Sequence, residues 1–114
     1  MQQSPIFLKS FETLVWILKH TAKFPKHQRF VMAKRIEEAA LSLYDQLVYA
    51  TKVRAPRPAL EAADFHLERL RAYNRLCLEL QLSSFAQYEH LASALDELGR
   101  LLGGWMRSLD RGKH

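Results

Sequence analysis

The sequence has only one cysteine, Cys77, among its 114 residues. A single cysteine excludes an internal disulfide and a zinc site built from thiolates, and it agrees with a reducing cytoplasm. Long apolar runs are also missing, because the longest stretch without a charged residue, 80–88, is far below the roughly 20 residues that span a bilayer. The N-terminus lacks the basic start and the apolar stretch of a secretory signal. We therefore predict a cytoplasmic protein with no membrane contact.

The spacings that mark metal and catalytic sites are missing as well. No acidic residue is followed by a histidine at the third position, and no two histidines lie four apart, so the metal motifs of helical bundles do not occur. The adjacent Gly103 and Gly104 fall inside a helical pattern, so they do not form a phosphate loop between a strand and a helix. Neither Cys77 nor any serine stands in a local arrangement that marks a nucleophile. The sequence predicts no enzyme, no cofactor and no metal site.

Acidic residues are scarce in three parts of the chain, and the basic residues collect there. The net charge is +5 and the isoelectric point is about 9.6. The three basic groups are Lys19, Lys23, Lys26, Arg29, Lys34 and Arg35; then Lys52, Arg54 and Arg57; and finally Arg107, Arg111 and Lys113. Such groups favour polyanions or acidic protein surfaces. The alternative interpretation is an ordinary solvated surface.

Apolar residues recur at alternating spacings of three and four in four segments, about 5–23, 26–53, 59–82 and 84–110. Prolines or paired serines separate these segments, and no strand pattern competes. Because the joints are short, neighbouring helices must run antiparallel. The sequence therefore predicts an all-α fold, an up-down-up-down four-helix bundle in one domain over residues 1–114.

The predicted topology places the basic groups at the two ends of the bundle. The joint at Pro25 shares one end with the joint at Ser83 and Ser84, where Gln87 completes a possible capping box. The proline-rich joint 54–58 shares the other end with both termini. A polyanion would therefore meet positive charge at either end.

Several residues do not fit a simple bundle position. Gly103 and Gly104 each cost roughly 1 kcal/mol inside a helix, which indicates close helix contact within one chain or between chains, or a weak helix end. Trp16 lies off the main face of the first helix, so it marks a subunit or partner contact or is buried on two sides. Phe30 and Met32 share that ambiguity. Asn74 interrupts an apolar seam, and we favour a solvent-facing position over a buried, hydrogen-bonded one.

Two segments resemble a known family. The C-terminal GRLLGGWMRSLDRGKH, 99–114, is similar to the accessory variability determinant (Avd) proteins of diversity-generating retroelements, whose C-termini read Gly-Arg, two aliphatic residues, Gly-small-Trp and a basic tail. The segment AADFHLERLRAYNRL, 62–76, resembles the Ala-Asp, spaced leucines and Leu-Arg run of the same family. With the Pro25 joint and the chain length, the similarity covers most of the sequence.

The resemblance implies a bundle that assembles into a homopentameric ring and has no catalytic activity of its own. It implies binding of a reverse transcriptase and of template RNA and cDNA, in support of mutagenic retrohoming. The candidate contact residues are Arg71, Arg75, Arg100 and Arg107 at family positions, joined by Lys23, Lys26, Arg29 and Arg111. The candidate oligomer contacts are Trp16, Gly103, Gly104 and Trp105.

Other functions stay open at this point. A related bundle family, encoded in intervening sequences of bacterial ribosomal RNA genes, shares the architecture, but its alanine- and serine-rich central motifs are missing here. Such a protein would be a structural module that binds protein or RNA. A protein-only adaptor would use Trp16, Met32 and the Gly103 face. A small enzyme would need His66 or His90 beside a carboxylate at a subunit joint.

Overall fold

The computed structural model describes residues 4–112, so Lys113 of the basic tail lies outside the described part. Residues 4–112 form four helices, and the second consists of three consecutive parts. They are α1 (Pro5–Thr21), α2 (an α-helical turn Lys26–Gln28, a π-helical turn Arg29–Ala33 and an α-helix Lys34–Ala50), α3 (Arg57–Glu79) and α4 (Phe85–Arg111). The all-helical prediction is confirmed, since residues 4–112 contain no strand. The π-helical turn is a feature that the periodicity does not predict.

The helices begin where local chemistry favours a start. Ser84 and Gln87 form the predicted capping box: the Ser84 hydroxyl accepts from the Gln87 backbone N–H at 3.1 Å, and the Gln87 side chain accepts from the Ser84 N–H at 2.8 Å. Pro5 occupies the first turn of α1, where its missing N–H costs no hydrogen bond. The first three helices end two or three residues before their predicted ends, because apolar periodicity continues into the joints, and the fourth ends one residue after its predicted end.

Side-chain contacts establish the antiparallel order of the helices. In α1 and α4, the ring of Phe7 lies 6.0 Å from that of Trp105, while Trp16, nine residues later, lies 4.9 Å from His90. The contacts from α1 to α2 and from α3 to α4 follow the same order; they are Phe11–Tyr44, Thr21–Glu37, Arg57–Met106 and Asn74–Tyr88. Each helix therefore packs beside two others around one core.

The core consists of the residues that the apolar seams present. Its largest fully buried members are Ile17, Ile36, Leu47, Leu60, Leu67, Leu70, Leu91, Leu95 and Leu98. The fully buried positions of α2 and α3 include the small side chains Ala39 and Ala63, and small side chains allow packed helices to approach closely. None of the described helices is both long enough and apolar enough to cross a membrane.

The structure shows that the interpretation of Asn74 was wrong, and it gives the positions of Met32 and Phe30, which the sequence left ambiguous. Asn74 is 3% exposed, and its side-chain nitrogen donates to the Tyr88 carbonyl oxygen at 3.1 Å, so it faces α4 rather than solvent. A buried amide is tolerated there because it is hydrogen-bonded. Met32 is buried in the core, whereas Phe30 is 82% exposed.

The joint between α3 and α4 is shaped by a residue in the left-handed region. Gln81 has φ of 62°, and the backbone N–H groups of Leu82 and Ser83 both return to the Cys77 carbonyl oxygen, at 2.8 and 3.2 Å. This turn directs the Ser83 hydroxyl to 2.7 Å from Nε2 of His20 at the end of α1. The two joints at this end of the bundle are thus bonded to each other.

Candidate nucleic-acid interface

Three of the four arginines at family positions have acidic partners within the chain. Arg71 pairs with Glu68 at 3.2 Å and with Asp96 of α4 at 2.6 Å. Arg75 pairs with Glu79 and Arg100 with Glu97, each within one turn of its own helix. The positive charge on this side of α3 and α4 is therefore locally compensated.

Arg107 differs from these three because no acidic group pairs with it within residues 4–112. A Cβ atom added at Gly103 would lie 3.2 Å from an Arg107 guanidinium nitrogen, and one added at Gly104 would lie 3.9 Å away. Within the described residues, no atom of another helix lies within 4 Å of a Cβ atom built at either glycine, so close packing against another helix of the same chain does not require glycine at these positions. The missing side chains instead leave room for Arg107.

A closer approach occurs at Gly99, a residue that no spacing in the sequence marks. A Cβ atom there would lie only 2.7 Å from an Arg71 guanidinium nitrogen. Gly99 thereby lets Arg71 cross from α3 to Asp96 and to the Leu95 carbonyl oxygen. Local spacing provides no sign of this contact, because the partners are more than 20 residues apart.

The basic residues around the joint between α1 and α2 have no acidic group within ion-pair distance in residues 4–112. We call this set the joint cluster: Lys19, Lys23, Lys26, Arg29, Lys34 and Arg35. All are exposed, and none forms an ion pair within residues 4–112. Arg29 also holds the joint, because its guanidinium donates to the carbonyl oxygens of Ala22 and Phe24, each at 3.3 Å. The joint cluster therefore concentrates positive charge at this end of the bundle, and Arg29 within it is held in place by two hydrogen bonds.

The opposite end of the bundle is basic as well. Lys52, Arg54, Arg107 and Arg111 are exposed there, and none pairs with an acid in the described range. Arg57 pairs with Asp110 and donates to the Met106 carbonyl oxygen at 3.1 Å, which ties the start of α3 to the end of α4. Both ends thus carry the charge that the topology predicted.

Aromatic rings accompany two of the arginines on the surface of α2 and α3. The guanidinium carbon of Arg69 lies 6.0 Å from the ring centre of Phe65 and 5.7 Å from that of Tyr73. The pKa of the Tyr73 phenol lies below its ordinary value, chiefly because Arg69 donates a hydrogen bond to it, with the charge of Arg35 acting in the same direction. Arg35, a member of the joint cluster, therefore acts electrostatically on Tyr73.

His20 occupies an aromatic pocket beside the joint cluster. Its ring stacks on Trp16 at 4.8 Å and meets the edge of Phe24 at 5.2 Å. Burial, and then the charge of Lys23, lower the pKa of His20 below 6.5. Trp16 itself is half-buried, because its ring packs against the rings of His20 and His90 of the same chain.

The position of His20 predicts acid sensitivity. The unfolded chain takes up a proton on His20 near pH 6.5, whereas the folded chain resists it, so stability is fully present above pH 6.5 and falls as the pH drops towards the lower folded pKa. We expect His20→Gln to lose less stability than the wild type between pH 7.5 and 5 in urea unfolding. Since His66 also has a lowered pKa, His66→Gln is the comparison. Equal pH slopes for wild type and His20→Gln would contradict the assignment.

Two of the candidate catalytic side chains, Cys77 and His66, lie in surroundings that do not activate them. Burial raises the pKa of the Cys77 thiol to about 11, so the thiol is protonated at neutral pH and is a poor nucleophile. Nδ1 of His66 lies 3.0 Å from the Arg69 guanidinium rather than beside a carboxylate. Among residues 4–112, no three His, Cys, Asp or Glu side chains come close enough to hold a metal ion.

Comparison with known proteins adds one finding. A comparison with curated proteins finds no match. A family model described as bAvd-like matches residues 6–109, which is nearly the whole chain. The matched range extends from the first turn of α1 to the last turn of α4, and it includes the joint cluster and the compensated arginines of α3 and α4.

Proposed function

Since this chain belongs to the bAvd-like family, as the similarity of its last two helices to Avd proteins predicted, we propose that it binds the reverse transcriptase and the nucleic acid of a diversity-generating retroelement. The family is an accessory, non-catalytic kind of protein that serves such retroelements. In this proposal the protein acts in the cytoplasm, holds the polymerase together with template RNA and cDNA, and so supports mutagenic retrohoming.

The observation that carries the proposal is the uncompensated charge of the joint cluster. Compensated arginines gain little from a phosphate, because an existing ion pair must be exchanged for the new one. Lysines without acidic partners instead release counterions from nucleic acid when they bind it. Of the eight candidate contact residues, five lack an acidic partner within residues 4–112, namely Lys23, Lys26, Arg29, Arg107 and Arg111. We place the polyanion contact at the bundle ends on this ground.

The proposal also includes the homopentameric ring. The outer surfaces of α1 and α2 expose a run of large apolar side chains: Leu8, Phe11, Leu18, Leu41 and Val48. Phe11 joins the two helices, with its ring 6.2 Å from that of Tyr44. Monomeric proteins rarely leave such contiguous apolar patches in water. A neighbouring copy would cover this face, with Trp16, Gly103, Gly104 and Trp105 as the further contacts expected from the sequence.

A salt titration of RNA binding tests the nucleic-acid part of the proposal. We expect the logarithm of the association constant to fall linearly with the logarithm of salt concentration, with a slope of about −0.7 for each neutralised phosphate of a single strand. Measurement by fluorescence anisotropy covers the range from low to physiological salt. Absence of binding at low salt would overturn this part and leave a merely solvated basic surface.

Two further measurements test assembly and the protein partner. Light scattering should give about five times the chain mass of 13.3 kDa, and a stable monomer would contradict the ring. Co-purification of the reverse transcriptase should weaken after nuclease treatment in high salt. Undiminished co-purification under those conditions would favour the protein-only adaptor.

A further inference from the structure

Rings and cations alternate along a line on the outer surface of α2 and α3. We call this line the aromatic track: Phe30, Arg35, Tyr73, Arg69 and Phe65. Phe65, Arg69 and Tyr73 follow one another at intervals of four residues, so they lie on one face of α3 and span about 12 Å along its axis. The Arg69 guanidinium lies between the two rings.

The track continues onto α2 through Arg35. Arg35 lines an open groove together with Phe30 and Lys34, and its charge contributes to the lowered pKa of Tyr73 on the neighbouring helix. Phe30 precedes Arg35 by five residues, which adds about 7 Å to the track. Glu38 also lines this groove, so two cations face one acid there. The whole track is therefore about 20 Å long and net positive.

The two rings at the ends of the track are exposed. Phe30 is 82% and Phe65 is 62% exposed to solvent. Phe30 stands on the π-helical turn Arg29–Ala33, which buries Met32 and Ala33 while it turns Phe30 and Val31 outward. π-helical turns occur frequently at functional sites. Neither exposed ring is needed for the core.

We propose that the aromatic track binds single-stranded nucleic acid, with bases stacked on Phe30 and Phe65 and phosphates held by Arg35 and Arg69. This inference rests on the proposed function and gives it a specific ligand and site. A single-stranded nucleotide presents a free planar face and a negative charge in each repeat, which matches alternating rings and cations. The bases of a duplex are stacked on one another, so their faces cannot reach the rings.

The test compares Phe30→Ala and Phe65→Ala with the wild type on a single-stranded RNA of eight nucleotides and on a duplex of the same sequence. Loss of one stacked base should weaken single-strand binding by about 5-fold or more for each variant. Binding of the duplex should not change, and the slope of affinity against salt should stay at its wild-type value because the phosphate contacts remain. A fluorescent purine analogue in the RNA should be quenched by the wild type and less by each variant.

Phe85→Ala is the matched control. Phe85 is 61% exposed and lies beside Tyr88, and within residues 4–112 no cation lies over its ring. The Phe85→Ala variant should bind single-stranded RNA as tightly as the wild type. Because all three rings are exposed, each variant should keep the wild-type unfolding temperature, which separates lost binding from lost folding.

The remaining outcomes separate this inference from the proposed function. Salt-dependent binding that is equal for the wild type and both track variants would overturn the track alone. Equal losses on single strand and duplex would overturn stacking. A loss of polymerase co-purification without a loss of RNA affinity would assign the track to a protein partner and overturn the inference. A wild type that binds no RNA at low salt would overturn both.

Discussion

Replacing Leu67 by alanine should lower the free energy of unfolding by about 2–5 kcal/mol, because the deleted methyl groups leave a cavity that the four helices cannot close. Leu67 is 1% exposed, and it reaches to 3.5 Å from the position of a Cβ atom at Gly99, so its side chain fills space between α3 and α4. Urea unfolding followed by circular dichroism measures the change. For a domain of about this size, the unfolding temperature should fall by roughly 4–8 °C for each kcal/mol lost.

Phe30→Ala is the comparison for this experiment, since it also removes a large apolar side chain. Its ring lies outside the core, so the loss should stay within about 0.5 kcal/mol. A small effect of Leu67→Ala would mean that the helices collapse around the site and that the core is less closely packed than described. A large effect of Phe30→Ala would give that ring a structural role and weaken its assignment to a ligand.

The triple substitution Lys23→Gln, Lys26→Gln and Lys34→Gln should weaken binding of single-stranded RNA by about 100-fold at 0.1 M salt. Three lost phosphate contacts reduce the slope of log affinity against log salt concentration by about 2. A difference of about 2 in this slope corresponds to about 100-fold in affinity for each tenfold change in salt concentration. Arg29 is left in place because it holds the joint. Anisotropy titrations at several salt concentrations measure both quantities.

The triple substitution Arg71→Gln, Arg75→Gln and Arg100→Gln is the matched control, because it removes the same formal charge from compensated positions. Its effect on affinity should be only a few-fold. The reverse ranking of the two triple variants would move the polyanion contact to the side of α3 and α4 and contradict the assignment to the bundle ends.

The architecture could be predicted because its causes are local. A helix that buries one face must repeat apolar residues at its own period, and Ser84 with Gln87 carries the signature of a helix start in four residues. In the predicted segment 26–53, the apolar residues that recur at spacings of three and four from Ala33 onward are buried, because regular α-helix preserves the phase of the pattern; they are Ala33, Ile36, Ala40, Leu43, Leu47 and Ala50. Before Ala33 the π-helical turn shifts that phase, and the pattern gives no sign of the shift.

The distribution of charge could be predicted only in part. Glu79 and Glu97 lie four and three residues from their arginines, and such intervals are readable from the sequence. Asp96 reaches Arg71 from another helix, and this contact depends on how α3 and α4 are rotated. The same rotation decides that Asn74 faces inward. Sequence spacing fixes which residues share a face, but a rotation of a few tens of degrees decides which of two adjacent faces is buried.

The π-helical turn makes the position of Phe30 dependent on the number of residues in it. An α-helix advances about 100° per residue, so removal of one residue between 29 and 33 would swing everything before it around the helix axis by about that angle. Ile36 and Leu43 would keep their places, while Phe30 would leave the line of Arg35 and Tyr73. Homologues that differ by one residue here could therefore share the same hydrophobic interior and yet carry differently aligned surfaces.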